Sequence, residues 1–323
     1  MAIVQSSQRR IAVQRRTSLR RRRTTAAFYL FISPWLLGFV FLGIVPLVLG
    51  FLTSLTNYDG LNLANIKWVG LRNYSRAFAD SEAIYAFGRT LLWTALNVPL
   101  WLVLSFGLAL LMNQQVKGRG IFRTLYYLPG VIPAVASVWI WRILLDTNYG
   151  MLNGAISIVR PGTAIPWLSQ YPLPAVTAIA VWQGLGSGMV IFLAGLQGIS
   201  NELLEAAELD GASRWQALRY ITIPLMTPVI FFQLVLALIT SFQQLGLPLL
   251  LGIAATGTQA YVPRGIYLYM IHTYNQIFVY QRFGYGTALL WLMFLFILVV
   301  TLIVFKTSRF WVHYEVATED EMA

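Results

Sequence analysis

The sequence predicts an all-α polytopic membrane protein with six transmembrane helices, and three observations carry that prediction. Hydrophobic residues make up 58% of the 323 and charged residues only 11%, where a soluble domain carries ~25% charged. Six stretches, near 28–52, 88–112, 121–145, 174–198, 224–252 and 283–305, are mainly apolar over the roughly 20 residues that a helix needs to cross a bilayer. Eight of the 23 basic residues crowd between Arg9 and Arg23, directly before the first stretch. A polybasic segment beside a span stays cytoplasmic, where it meets anionic lipid. No aromatic residue is interleaved among these arginines to stack on bases, which argues for a lipid surface and against nucleic acid. The net charge of +11 is therefore a local feature. The apolar run that follows is too long for a signal peptide and is closed by no small-residue cleavage site, so it is expected to remain as an anchor.

Sidedness rests on that tail. An even number of spans places both termini on one side, so the connectors 113–120 and 199–223 and the tail from Lys306 are expected inside. The connectors 53–87, 146–173 and 253–282 are then external. Away from the tail, seven basic residues fall inside and eight outside, which does not discriminate; the first 25 residues decide the orientation. The expected division is a basic tail over 1–25, a first span and external loop over 26–86, a core over 87–305 and a second tail over 306–323.

Taken in order, the third span carries Pro129 and Pro133, each removing a helical hydrogen bond. This marks either a break turned toward protein or water, or a structural kink. In the fourth span, Gly184 and Gly188 are expected to permit close helix approach. Gln183 and Ser187, four residues apart, share a face that should look into the bundle.

Between the fourth and fifth spans lies a polar island, Asn201–Pro224. Residues 202–209 are good helix formers with acids in the first turns, favoured by the positive end of a helix dipole. Gly211 supplies a left-handed stop. Ser213 and Gln216 have the spacing of a capping box that starts a second short helix, and Pro224 is expected to close the unit. In the fifth span Ser241 and Gln244 lie on one side, and the portion beyond Pro248 is expected at the far interface.

Several chemistries are missing. There is no cysteine, hence no disulfide or thiolate chemistry. No phosphate loop surrounds Lys67, Lys117 or Lys306. The histidines, His272 and His313, fall in an external loop and the C-terminal tail without a metal-site spacing. No carboxylate pair is placed in a span for proton relay or glycosyl transfer. No cofactor is expected.

Glu205, Ala206, Ala207, Gly211, Ile221 and Pro224 resemble the Glu-Ala-Ala loop of permease subunits in ATP-binding-cassette importers, with Ile223 where the family usually has Leu. Trp68-Val69-Gly70-Leu71-Arg72-Asn73-Tyr74 and the run Phe122–Pro133 resemble carbohydrate permeases of the maltose and glycerol-phosphate type. The similarity covers about 26–310.

The resemblance implies a type-1 permease fold with both termini cytoplasmic, in a bacterial plasma membrane, and a non-catalytic subunit. It implies a second permease, a dimeric ATPase gripping the 201–223 loop, an extracytoplasmic solute-binding protein and a carbohydrate substrate. Counted without gaps, the family's sugar-contacting positions fall on Gln183, Gly184, Ser187, Ala237, Ser241 and Gln244. Ala237 lacks the polar group of the maltose protein, which implies a different sugar. Glycerol phosphate or another polyol stays open as substrate. So do two other classes, a membrane enzyme acting on lipid-linked sugars and a scaffold using the arginine tail.

Overall fold

The computed structural model describes residues 25, 27–114, 117–256 and 262–313. The arginine-rich segment and the acidic run from Glu315 lie outside the described residues. Among those described, helix is the only regular secondary structure apart from one isolated antiparallel bridge between Thr56 and Trp68.

Five helical runs are long and apolar enough to cross a membrane, and a bent pair makes six if counted as one span. The first, α1 (Ala27–Ser54), is followed by the short α2 (Arg72–Ala79) and the 33-residue α3 (Ser81–Asn113). Next come α4 (Arg119–Val131), α5 (Ala134–Leu144), α6 (Met151–Val159) and α7 (Pro172–Gln197). After the polar loop, with its helix α8 (Asn201–Leu209), run α9 (Ile223–Phe242) and α10 (Gly246–Thr256), then α11 (Tyr269–Tyr274) and α12 (Phe283–Ser308).

The third stretch is not one rod. Helices α4 and α5 meet at 100°. Pro129 stays inside α4, while Pro133 starts α5 after Ile132 has turned extended (ψ 127°), as the residue before a proline prefers. The fifth stretch breaks at Gln243–Leu245, before Pro248, which lies inside α10.

Pro224 does not close the polar loop either. The helix begun at Arg214 runs through it by way of a widened turn, Leu218–Thr222, in which the Ile223 N–H reaches back to the Leu218 carbonyl. A π-turn re-pairs carbonyls that a proline, having no N–H, would otherwise leave bare. The same device precedes Pro46, where Val40–Ile44 widens and the Val45 N–H bonds the Val40 carbonyl.

The recognisable segment Trp68–Tyr74 is a structural clasp. The Asn73 amide donates to the Ser54 and Thr56 carbonyls, both at 2.8 Å, and the Tyr74 hydroxyl meets Ser54 Oγ at 2.7 Å. These contacts satisfy the bare carbonyls at the end of α1 and fold the connector back on it.

At the bundle's centre α7 packs on α3 and α4, and α9 packs on α3. Trp93, Val176 and Ile179 belong to one buried cluster and Met189, Phe192 and Met226 to another, nearer the 201–223 end. Residues Gly130 and Gly186 set the approach of α4 to α7: a Cβ on Gly186 would sit 2.3 Å from the Tyr126 carbonyl oxygen, and one on Gly130 3.2 Å from that of Gln183. The expected pair, Gly184 and Gly188, admits α3: a Cβ on Gly188 would fall 2.9 Å from Ser105 Cβ, and both glycines leave room for Trp101.

Candidate functional site

The 201–223 loop is built from local rules. Ser200 Oγ accepts from the Glu202 N–H and starts α8. Gly211 (φ +83°) ends it: the Gly211 N–H donates to the Glu208 carbonyl and the Ala212 N–H to that of Ala207. This pair of bonds is a Schellman stop, for which a residue without Cβ is the natural occupant. The capping box is present, with the Ser213 N–H donating to Gln216 Oε1 at 2.7 Å and the Gln216 N–H to Ser213 Oγ at 3.3 Å. The resulting elbow is polar yet exposes Leu209, Trp215 and Tyr220 at 90%, 67% and 69%. Glu205 and Ala206 are exposed beside them, and Ala207 and Ile221 are half-buried.

A cavity of about 370 Å³ opens between α3, α7 and α9. Asn97 is the midpoint of α3 and Gly184 lies at the middle of α7, so the cavity sits halfway through the bundle. Of the six positions implied by the resemblance, Gly184, Ser187, Ala237, Ser241 and Gln244 line it. Gln183 does not: its backbone faces Gly130 of α4, and its neighbour Trp182 packs edge-on against Trp141. The structure adds Trp93, Asn97 and Trp101 from α3, with Gln233 and Thr240 from α9. No Lys, Arg, His, Asp or Glu is among the lining residues.

Most polar groups on the α7 and α9 walls already donate to protein. Ser187 Oγ bonds the Gly184 carbonyl at 2.9 Å, Ser241 Oγ bonds Thr94 Oγ1 at 3.0 Å and Thr240 Oγ1 bonds the Leu236 carbonyl at 2.9 Å. The Gln233 amide reaches the Gly188 carbonyl at 3.4 Å. Each hydroxyl oxygen keeps lone pairs that can accept from a bound molecule.

A family sequence pattern described as "Binding-protein-dependent transport system inner membrane component" matches residues 102–312. The chain belongs to that family. This permease is 36% identical over 307 residues to the probable ABC transporter permease protein YesP of Bacillus subtilis, covering 91% of this chain and 94% of the relative. It is 31% identical over 297 residues to the trehalose/maltose transport system permease protein MalF of Thermococcus litoralis, covering 91% and 97%. A solved bacterial transporter that imports the acidic polysaccharide alginate has a chain superposing with a TM-score of 0.73 at 21% identity, over 89% of this chain and 96% of that one. The likeness establishes the type-1 importer permease fold. As a permease of this family, the chain is a membrane-spanning transport component and not a catalyst. The lipid-linked-sugar enzyme and the scaffold give way to that membership.

A second polar cluster stands at the far end of the bundle from the 201–223 loop. Asp80 caps α3 by accepting from the Glu82 and Ala83 N–H groups and takes the Tyr285 hydroxyl at 2.7 Å. His272, 2% exposed, places Nε2 at 3.5 Å from Asp80 Oδ2, and the Tyr267 hydroxyl lies 3.2 Å from Nδ1. Burial drives the His272 pKa below its ordinary value of 6.5 against the pull of Asp80 and Glu82, so its neutral form is favoured. The Asp80 pKa is also lowered: burial raises it, but the Tyr285 hydroxyl, the backbone N–H donors and His272 together prevail. Sequence reasoning placed His272 in an external loop and missed this cluster, because Asp80 lies 192 positions from His272 and 205 from Tyr285.

Proposed function

We propose that this chain forms one half of the translocation path of an ATP-driven carbohydrate importer in a bacterial plasma membrane. The observation that carries the reading is the uncharged, polar-lined cavity between the two helices that flank the exposed 201–223 elbow and their common neighbour α3. A second permease would complete the path, and an extracytoplasmic solute-binding protein would deliver the substrate. The relatives named for trehalose and maltose, multiple sugars and arabinooligosaccharides support a carbohydrate cargo. The lining favours a neutral one. An anionic cargo such as glycerol phosphate would want a cation close to the cavity, and the nearest candidate from the sequence, Arg142, instead stacks on Trp139 at 5.0 Å.

The elbow is the coupling element. Exposed Leu209, Trp215 and Tyr220 on a polar segment suit a groove on the partner ATPase, and Glu205 offers a carboxylate to a basic residue there. A helix rigidly continued from Arg214 through Pro224 into α9 makes a lever, so that displacement at Trp215 is carried to Gln233 and Ser241 at the cavity. Orientation follows with both termini and the elbow cytoplasmic.

Two measurements test this. In the reconstituted complex, Gly211→Pro or Glu205→Lys lowers uptake at least tenfold while membrane abundance is retained and ATP hydrolysis proceeds unlinked to transport; normal uptake by both removes the coupling role. Because the chain contains no cysteine, Trp215→Cys gives a single reactive thiol. Labelling of intact cells by a membrane-impermeant maleimide at that position would overturn the sidedness.

A further inference from the structure

We infer that α3 supplies a sugar-recognising wall, made of Asn97 and Trp101, in addition to the helices flanking the elbow. This inference rests on the carbohydrate reading above. The two residues are spaced i, i+4 and therefore stand in one stripe along the helix, near its midpoint, and both line the cavity.

This wall carries unspent bonding capacity. Asn97, half-buried, makes no side-chain hydrogen bond within the described residues, and across the cavity the same holds for Gln244. Trp93, 1% exposed, belongs to the packed core behind the wall. Ser187, Ser241, Thr240 and Gln233 on α7 and α9 already donate to protein. A polyhydroxylated ligand can thus accept from α3 and donate to the hydroxyl oxygens opposite, which is a complementary arrangement for groups that do both.

The second member supplies an apolar surface. Trp101 is seated along Gly184 and Gly188: a Cβ on Gly184 would fall 2.6 Å from its Nε1, and a Cβ on Gly188 would fall 2.6 Å from its Cζ2. The two glycines are therefore the bed of an indole. Any side chain there would push the ring into the cavity. The axial C–H groups of a pyranose make an apolar face that lies on an aromatic ring with the weak attraction of C–H to π contacts, whereas an open-chain polyol offers no such face. The substrate class is narrowed to a neutral sugar presenting one pyranose face to Trp101 and a hydroxyl to the Asn97 amide.

The test uses the assembled importer in proteoliposomes, with radiolabelled maltose, trehalose and methyl glucoside as ring probes, sorbitol as open-chain probe and an alginate trisaccharide as anionic probe. For whichever ring sugar is taken up, Trp101→Leu, which keeps apolar volume but has no ring, raises KM roughly 3–10-fold with kcat within about twofold. Trp101→Phe holds KM within about threefold. Asn97→Leu, which keeps the volume and removes the amide, raises KM roughly 3–10-fold. Equal KM values for Trp101→Leu and Trp101→Phe, an unchanged KM in Asn97→Leu, or uptake of sorbitol matching the ring sugars overturns the assignment of α3. Uptake of the anionic probe alone, or of no probe by the unsubstituted importer, sinks the neutral-carbohydrate reading beneath it instead. Should Trp101→Leu fail to assemble, the Asn97→Leu result decides.

Discussion

The two polar clusters of this bundle are built on opposite terms. At the Asp80–His272 cluster, charge is present and partnered: one carboxylate takes two backbone N–H groups and a tyrosine hydroxyl and faces an imidazole, while Arg76 stacks over the Tyr285 ring at 4.4 Å. In the cavity between α3, α7 and α9, charge is absent, space is present, and the Asn97 and Gln244 amides make no side-chain hydrogen bond among the described residues. The first arrangement ties the start of α3 to α11 and α12 and has little left to offer a ligand. The second keeps donors and acceptors free for one. Polarity inside a membrane bundle thus separates into structure and function by whether its hydrogen bonds are already spent.

The comparison can be broken most directly at the cavity. Ala237→Leu fills it without touching the Asp80 cluster and is expected to cut uptake more than tenfold while the melting temperature in detergent stays within about 2 °C; retained uptake would mean that substrate passes elsewhere. Gly186→Ala tests the scaffold around it. Its Cβ would collide with the Tyr126 backbone, and overpacking of this kind costs about 1–3 kcal/mol, lowering the melting temperature by several degrees. Gly184→Ala meets only the movable Trp101 ring and is expected to alter KM more than stability.

At the other cluster the expected effects are smaller and fall on stability. Tyr285→Phe removes a hydrogen bond to a carboxylate, worth about 1.5–3 kcal/mol, and should lower the melting temperature at pH 7.5 while KM is unchanged. The smallest effect is the pH dependence. His272 titrates below 6.5 in the folded chain, so between that value and its folded pKa the unfolded chain binds the extra proton and stability falls as the medium is acidified. Asp80, also lowered from 3.8, adds a loss of the same sign at still lower pH. Melting temperatures measured from pH 7.5 to 5.5 should decline by a few degrees, and His272→Gln should flatten the curve. A flat profile in the unsubstituted protein would show that His272 is not held neutral.

Several elements were legible because their causes are local. The Schellman stop at Gly211 and the capping box of Ser213 with Gln216 stand as their spacing required, since every group involved lies within six residues. The apolar stretches were found for a similar reason, although α3 begins at Ser81, seven residues earlier than its hydrophobicity suggested, because Asp80 supplies a cap. Pro224 misled. A proline reads as a stop until one sees that a widened turn before it can carry the helix through. Gly184 and Gly188 do meet a neighbouring helix, but spacing records only that a Cβ is missing and not that Trp101 and Ser105 of α3 fill the room.

By itself, then, the sequence determined the all-helical membrane character, the polar elbow with its Gly211 stop and Ser213–Gln216 cap, and the lack of a carboxylate pair within the spans. Each follows from composition or from contacts within a turn or two of chain. Only the tertiary structure decided that Gln183 turns away from the cavity while Asn97 and Trp101 turn toward it, and that Asp80 meets His272 and Tyr285. The physical reason is that a mainly apolar helix has no strong polar face to fix its rotation: the azimuth of α3 and α7 is set by where neighbouring helices fit, as Gly186 fits against Tyr126.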